Sequence, residues 1–334
     1  MFDPQQLIVD YGDLEAEVAS CRNASALFNF SFISSARISG PDSLNVIAHI
    51  TRRDFEQMKI GQIRYALGCD ADGRLCSDLT IWKRASDQYI VMSGLDKDLI
   101  KLDAAASSNP AGEFANISNA INVYSIQGPD TLNALSSLVD MTKLSVIPYF
   151  GFSNLEVAGV PCVIGRLGYS GEFGFEIILP TEKRNQIWTE LSMVARPCGF
   201  AAIDQLRIEA GLVLFANEFQ LPVTAADIGL TQFAEKKSQP PRYRLICFRA
   251  NSDEMLTIWS PADNLMPPEL GCITITSACN TPDNGAVLGL GFVQAKDSGI
   301  DGVFDDPLRQ FTNIQEVSRP FYDTLKRRPR STWN

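Results

Sequence analysis

The sequence predicts an α+β protein of two or three domains, and three observations carry that reading. Strand-like and helix-like runs alternate along the first two thirds of the chain, but without the regular βαβ period of a doubly wound sheet. A strand–Gly-Pro-Asp–helix unit occurs twice, at Ile38–Asn45 and Ile126–Asn133. Beyond residue 242 the helical runs give way to short strands. A chain of 334 residues also exceeds what one compact core usually organises.

In order along the chain, Asp78–Arg84 and Gln88–Gly94 read as a hairpin turning at Ala-Ser-Asp. Segments 122–128, 162–168 and 175–180 read as further strands. Segments 41–50, 97–108, 129–139 and 183–199 read as helices, as does 202–215 despite Gly211. In the duplicated unit a strand ends at Gly and Pro opens a helix, where its missing N–H costs nothing. Asp and Ser or Thr in the first turn suit the positive end of the helix dipole. The repetition predicts two similar strand–helix subdomains. The diproline of Lys236–Arg242 reads as a linker, and the strands at 244–250, 271–279 and 287–294 as a small β-barrel or sandwich.

Composition excludes several classes of function. The net charge of −10 argues against a broad nucleic-acid surface. The basic tail Lys326–Arg330 reads as a solvated terminus. No apolar run approaches the ~20 residues of a membrane helix, and the acidic first residues lack a signal-peptide core, so a cytoplasmic protein is expected. The eight cysteines form no CxxC and no zinc spacing, and they read as small buried hydrophobes, with no metal expected. The single histidine, His49, reads as a packed core or boundary residue. Acid–base chemistry therefore falls to Asp, Glu, Tyr, Lys or Cys.

Two segments stand out chemically. In Gly165–Ile177, glycines at 168, 171 and 174 are interleaved with Tyr169, Glu172, Phe173 and Glu176. A carboxylate among aromatics and glycines can grip a flat heterocycle, accepting two N–H donors while a ring stacks on its face. A glycine-rich hairpin with solvated glutamates fits the same residues. In Asp70–Trp82, Asp78 opens an apolar strand; if buried, its pKa rises and it is poised for proton transfer, whereas a strand-edge Asp would only cap the turn. Asp70 and Asp72 make a turn, without the twelfth-position Glu of a calcium loop. In Gly199–Gly211, Arg207 and Glu209 fall on a helix, where structural ion pairing is expected.

Taken together, ISGPD at 38–42, Tyr65 followed by GRLCSDL at 73–79, GYSGEFGFE at 168–176, GFAAIDQLRIEAGL at 199–212 and RPFYD at 319–323 resemble the glycine-cleavage T-protein (aminomethyltransferase) family. The resemblance runs from about residue 20 to residue 322. It implies a three-domain cloverleaf: two α/β lobes around a central folate channel and a C-terminal β-barrel. The first lobe would comprise 1–46 and 121–218, the second 47–120 and 219–240, and the barrel 241–334. It implies tetrahydrofolate as co-substrate, with Asp78 as the catalytic aspartate. Glu176 would grip the pterin, and Tyr65, Tyr169 and Trp82 would line it. The chain departs from the pattern at Ser77, Gly94 and Ile203, where the family carries Asp, Asn and Arg, and at 29–33, which lacks the family's histidine. The implied activity is one-carbon transfer, methyl or aminomethyl, from a small methylated or amine substrate. The alternative is a folate binder of the same fold without transfer chemistry. Iron–sulfur assembly relatives of that kind carry a K-G-C-Y-x-G-Q motif, where this chain has only Glu235–Gln239. An acidic chain argues against an acidic lipoyl carrier protein as partner.

Overall fold

The computed structural model describes residues 7–234, 240–252, 256, 259, 261, 264–280, 286–297 and 302–331. The chain begins with α1 (Leu14–Asn23), β1 (Ala26–Asn29), β2 (Ser34–Ser39), α2 (Ser43–Ile47), β3 (Ile63–Cys69), β4 (Leu75–Ala85), β5 (Gln88–Ser93), α3 (Asp96–Ser108) and β6 (Glu113–Asn116). It continues through β7 (Ile121–Gln127), α4 (Thr131–Leu135), α5 (Met141–Leu144), β8 (Phe152–Val157), β9 (Val160–Gly165), β10 (Gly174–Pro180), α6 (Arg184–Ser192), β11 (Arg196–Pro197), α7 (Phe200–Glu209) and α8 (Phe215–Glu218). It ends with β12 (Tyr243–Asn251), β13 (Thr274–Asn280), β14 (Ala286–Gln294), β15 (Val303–Phe304) and β16 (Thr312–Val317). The expected α+β character and the β4–β5 hairpin are present.

Three sheets organise these elements. The first runs β11-β1-β7-β10-β9-β8, the second β3-β4-β5-β2-β6 and the third β13-β14-β12-β16-β15. The chain leaves the first sheet after Asn29 and returns at Ile121, so β2 pairs in the second sheet. The alternation of side chains along β10, buried on both faces, aims one face of the first sheet (Phe175, Ile177, Leu179) at a core shared with α4, α5 and α6. Its other face meets Trp82, Met92 and the buried side of α7. On α3, Leu99, Leu102, Ala105 and Ala106 supply the buried stripe against the second sheet.

The duplicated Gly-Pro-Asp unit has the same physics twice. Gly40 and Gly128 both take a left-handed φ, +92° and +137°. A Cβ at Gly40 would collide with the Ala111 carbonyl oxygen, and one at Gly128 with that of Ala24. Those same oxygens accept from the amides of Asp42 (3.2 Å) and Asp130 (3.0 Å). Each unit then opens a helix of five residues, α2 and α4. The two similar strand–helix units expected from the repetition therefore exist, one per N-terminal sheet.

Several expectations need correction. The third sheet is open, not a closed barrel. Among the described residues, its edges β13 and β15 are linked only by the parallel bridge Cys272–Asp305 beside them, because two-residue β15 is too short to form a ladder. The helix expected over 202–215 ends at Glu209, where Gly211 at φ +64° turns the chain and Leu212 N–H reaches back to the Arg207 carbonyl (2.8 Å). His49 is exposed, its ring Nδ1 2.9 Å from the Asn45 carbonyl, because it falls on the outer side of the short turn after α2. The tail is exposed at Arg327, Arg328 and Arg330, as expected, yet it is also tethered: Arg328 reaches Glu172 at 3.3 Å and lies over the Tyr322 ring. The expected linker lies largely outside the described residues, as does Glu235–Gln239. Five of the eight cysteines are buried and all are free. No helix among the described residues is long and apolar enough to cross a membrane.

Candidate functional site

The β3–β4 ladder sets the first part of the site. Leu67 pairs with Asp78, so Tyr65, two residues back on β3, shares the face of Asp78. The Tyr65 hydroxyl donates to Asp78 Oδ2 at 3.2 Å. β4 is an inner strand, so Asp78 is half-buried in the sheet and does not cap the neighbouring turn. Asp70 does that: its Oδ1 accepts from the amides of Asp72 and Arg74, both at 2.9 Å. Burial pushes Asp78 up to about 6, against the hydrogen bond from Tyr65, which lowers it. Tyr169, in the loop after β9, donates its hydroxyl to the Val213 carbonyl. Burial raises the pKa of both tyrosines well above 10, and the charge of Asp78 adds to each. The structure thus brings Asp78, Tyr65 and Tyr169 together. The Phe233 ring meets Tyr65 edge-on at 5.3 Å.

Glu172 and Glu176 lie four residues apart in one glycine-rich segment and have opposite environments. Glu172 is paired with Arg22 at 2.9 Å and Arg328 at 3.3 Å. Arg22 also holds Glu209 at 2.6 Å and stacks on Tyr322, so Glu172 belongs to a satisfied ionic network. Glu176 is only 7% exposed and has no hydrogen-bond or ion-pair partner among the described residues. Burial alone pushes it up to about 7 from 4.5. Neither glutamate is the solvated surface residue that a plain hairpin would carry. On β10, Glu176 faces Gly165 of β9, and a Cβ on Gly165 would collide with the Trp82 ring. Cross-strand partners project to one side, so Glu176 points to the same inter-sheet face as Trp82. Trp82 itself is fully buried, its indole N–H on Thr80 Oγ1 at 3.1 Å and its ring 5.4 Å from Phe152. Among the described residues no hydrogen bond, ion pair or ring contact joins Glu176 or Trp82 to the Asp78–Tyr65 pair.

Two of the segment's glycines, 168 and 174, are explained by a residue that sequence reasoning passed over. A Cβ on Gly168 would stand 2.5 Å from Gln127 Oε1, and one on Gly174 would stand 2.6 Å from Gln127 Cγ. These two glycines therefore admit a buried glutamine amide. The hint was within the repeat: where the first copy has Ser39, the second has Gln127. Arg207 is another structural charge. It holds Asp204 at 2.9 Å, Glu218 at 3.1 Å and Ser277 of β13 at 2.7 Å, tying α7 to the third sheet. Burial works against its charge, but Asp204 and Glu218 outweigh that and raise its pKa.

The departures have apolar occupants. A Cβ on Gly94 would collide with the Phe215 ring, and Ile203 is packed in the inter-sheet core. Ser77 is buried with no partner for its hydroxyl among the described residues. A surface cleft of about 730 Å³ between Ser137–Lys143 and Asn154–Cys162 lies on the α4–α5 side of the first sheet, the face away from Glu176, and none of the site residues lines it.

Comparison with known proteins identifies relatives of this chain. A family model described as the GCVT N-terminal domain matches residues 7–238. An aminomethyltransferase of Listeria monocytogenes serotype 4b (strain CLIP80459) is 32% identical over 242 residues, 70% of this chain and 65% of that protein. One of Thermoanaerobacter sp. (strain X514) is 31% identical over 240 residues, 69% of this chain and 64% of that one. The match thus spans just under two thirds of these relatives' length. The crystal structure of glycine cleavage system aminomethyltransferase T from Bartonella henselae superposes with a TM-score of 0.76 at 20% identity, covering 93% of this chain and 90% of that one, which shows a shared fold. The matched residues include the Asp78–Tyr65 pair, the Tyr169 loop and Glu176, and the chain belongs to the GCVT N-terminal domain family.

Proposed function

We propose that this chain is a tetrahydrofolate-dependent one-carbon transferase or demethylase acting on a small methylated or amine substrate. The observation that carries the reading is Glu176: a buried carboxylate with no partner among the described residues, facing the inter-sheet core. An ionised group in that position is costly unless a ligand supplies donors, and the N–H edge of a pterin supplies two. Tyr65, Tyr169 and Trp82 provide the aromatic surroundings for such a ring. Bound tetrahydrofolate supplies the nitrogen that takes up the one-carbon unit. Asp78 is the proton partner at N5: Tyr65 engages Oδ2, which leaves Oδ1 to exchange the proton, and a pKa of about 6 suits that task near neutrality.

The lobes 1–46 with 121–218, 47–120 with 219–240, and 241–334 around a folate channel belong to the same proposal, with β2 contributed to the second lobe by its pairing. The net charge of −10 favours a small-molecule donor over an acidic lipoyl carrier, and no nucleic acid or membrane is required. A second reading, a folate binder without transfer chemistry, is favoured by Gly94 and Ile203 standing where the family carries Asn and Arg, with the Phe215 ring in the space a side chain at 94 would take.

The test combines calorimetric titration of tetrahydrofolate with a screen of methylated amines, sulfonium compounds and methoxy-aromatics. Conversion of tetrahydrofolate to its methyl or methylene form is followed. Glu176→Gln is expected to weaken folate binding by about 1.5–3 kcal/mol, the worth of hydrogen bonds to a charged acceptor. Unchanged affinity overturns the site. Binding without conversion across the screen favours the second reading.

A further inference from the structure

We propose that Gln127 is a positioning residue that holds the Tyr169 loop in register with the strand bearing Glu176; this rests on the folate-site reading above. Gln127 ends β7 and is fully buried. Its Oε1 accepts from the amides of Tyr169 (3.1 Å) and Ser170 (2.9 Å) and from the Ser170 hydroxyl. Its Nε2 donates to Ser125 Oγ at 2.7 Å. Ser125 is the cross-strand partner of Glu176. One side chain therefore connects the loop that aims Tyr169 to the residue beside the unpartnered carboxylate.

The rest of the loop is held elsewhere, by Arg22 on the Ser170 carbonyl (2.9 Å) and on Glu172 and by the Tyr169 hydroxyl on the Val213 carbonyl, but the amides of Tyr169 and Ser170 are held by Gln127. Residues 166–173 belong to no helix or strand. Gly168 and Gly174 close over the Gln127 side chain because any Cβ there would meet it. Three donors converging on one acceptor specify the loop's place more tightly than packing of glycines can. Gln127 reaches no ligand position in this arrangement. Its action passes through Tyr169 and through Ser125.

Two substitutions separate positioning from mere stability. Gln127→Met keeps length and removes every hydrogen bond; Gln127→Glu keeps the acceptors. In Gln127→Met, amide exchange at Tyr169 and Ser170 is expected to accelerate about tenfold or more, while Ile126 and Phe175 in the flanking strands stay protected. Tetrahydrofolate binding should weaken about tenfold, and Gln127→Glu should restore it to within about threefold of wild type. Tyr169→Leu, costly in wild type, should cost less than about twofold more in the Gln127→Met background, because the ring is already displaced.

Additive losses from the two substitutions, or Gln127→Glu failing alongside Gln127→Met in step with their melting temperatures, overturn the assignment while the folate site stands. Unchanged exchange at 169–170 overturns it as well. Wild-type protein that binds no tetrahydrofolate overturns the site reading, and the assignment with it.

Discussion

Replacing Glu176 by Gln tests the buried carboxylate without any ligand. The ordinary glutamate pKa of 4.5 rises to about 7 in the folded chain, with burial as the cause. An acid with a raised folded-state pKa binds its proton more tightly folded than unfolded. Between those two values the folded state therefore holds more protons, and stability falls as pH rises. The penalty is small below pH 4.5 and complete above about 7. At about 1.36 kcal/mol per pH interval of displacement, the full cost is about 3 kcal/mol. Gln carries no charge to desolvate. Glu176→Gln should thus stabilise the unliganded protein by ~3 kcal/mol at pH 8 and by under ~1 kcal/mol at pH 5. Urea denaturation of both proteins at pH 5, 6, 7 and 8 measures the gap. A gap that stays constant within ~0.5 kcal/mol across that range would refute the reasoning, because it would mean that Glu176 is solvated or paired in solution.

Further outcomes follow from the same geometry. Tetrahydrofolate affinity should rise between pH 6 and 8 as Glu176 ionises, with proton release on binding below pH 7; calorimetry in buffers of different ionisation enthalpy reads the protons directly. Asp78→Asn should collapse turnover, by about 10²–10⁴-fold, while folate binds within a few fold, and equal turnover removes Asp78 from the mechanism. Tyr65→Phe removes the hydrogen bond that holds Asp78 down, so the acidic limb of the pH–rate profile should move to higher pH. Glu218→Ala leaves Arg207 with Asp204 as its single carboxylate and should destabilise by about 3–5 kcal/mol in urea melts; a loss under ~1 kcal/mol would show that the network does not hold α7 to the third sheet.

Local chemistry made much of this chain legible from its residues. The Gly-Pro-Asp units, the β4–β5 hairpin and the strands around 122–128 and 175–180 depend on neighbours within a few positions, and pattern alone located them. Residue type likewise singled out Asp78, Glu172 and Glu176, since a carboxylate inside an apolar or glycine-rich strand needs a reason. Which glutamate is satisfied was decided elsewhere in the chain. The partners of Glu172 are Arg22 and Arg328, 150 and 156 residues away, and no spacing rule reaches that far. The purpose of Gly168 and Gly174 was equally remote, lying in Gln127 on another strand. Helix 202–215 read long because its apolar residues keep period past Glu209, whereas the left-handed turn at Gly211 follows from how α7 packs. His49 looked internal amid apolar neighbours, yet α2 is so short that its outward side faces solvent. Sequence determines which segments can form and which groups would be costly to bury; only the tertiary structure decides which of those groups find a partner, because partners are chosen by proximity in space across sheets that the chain leaves and re-enters.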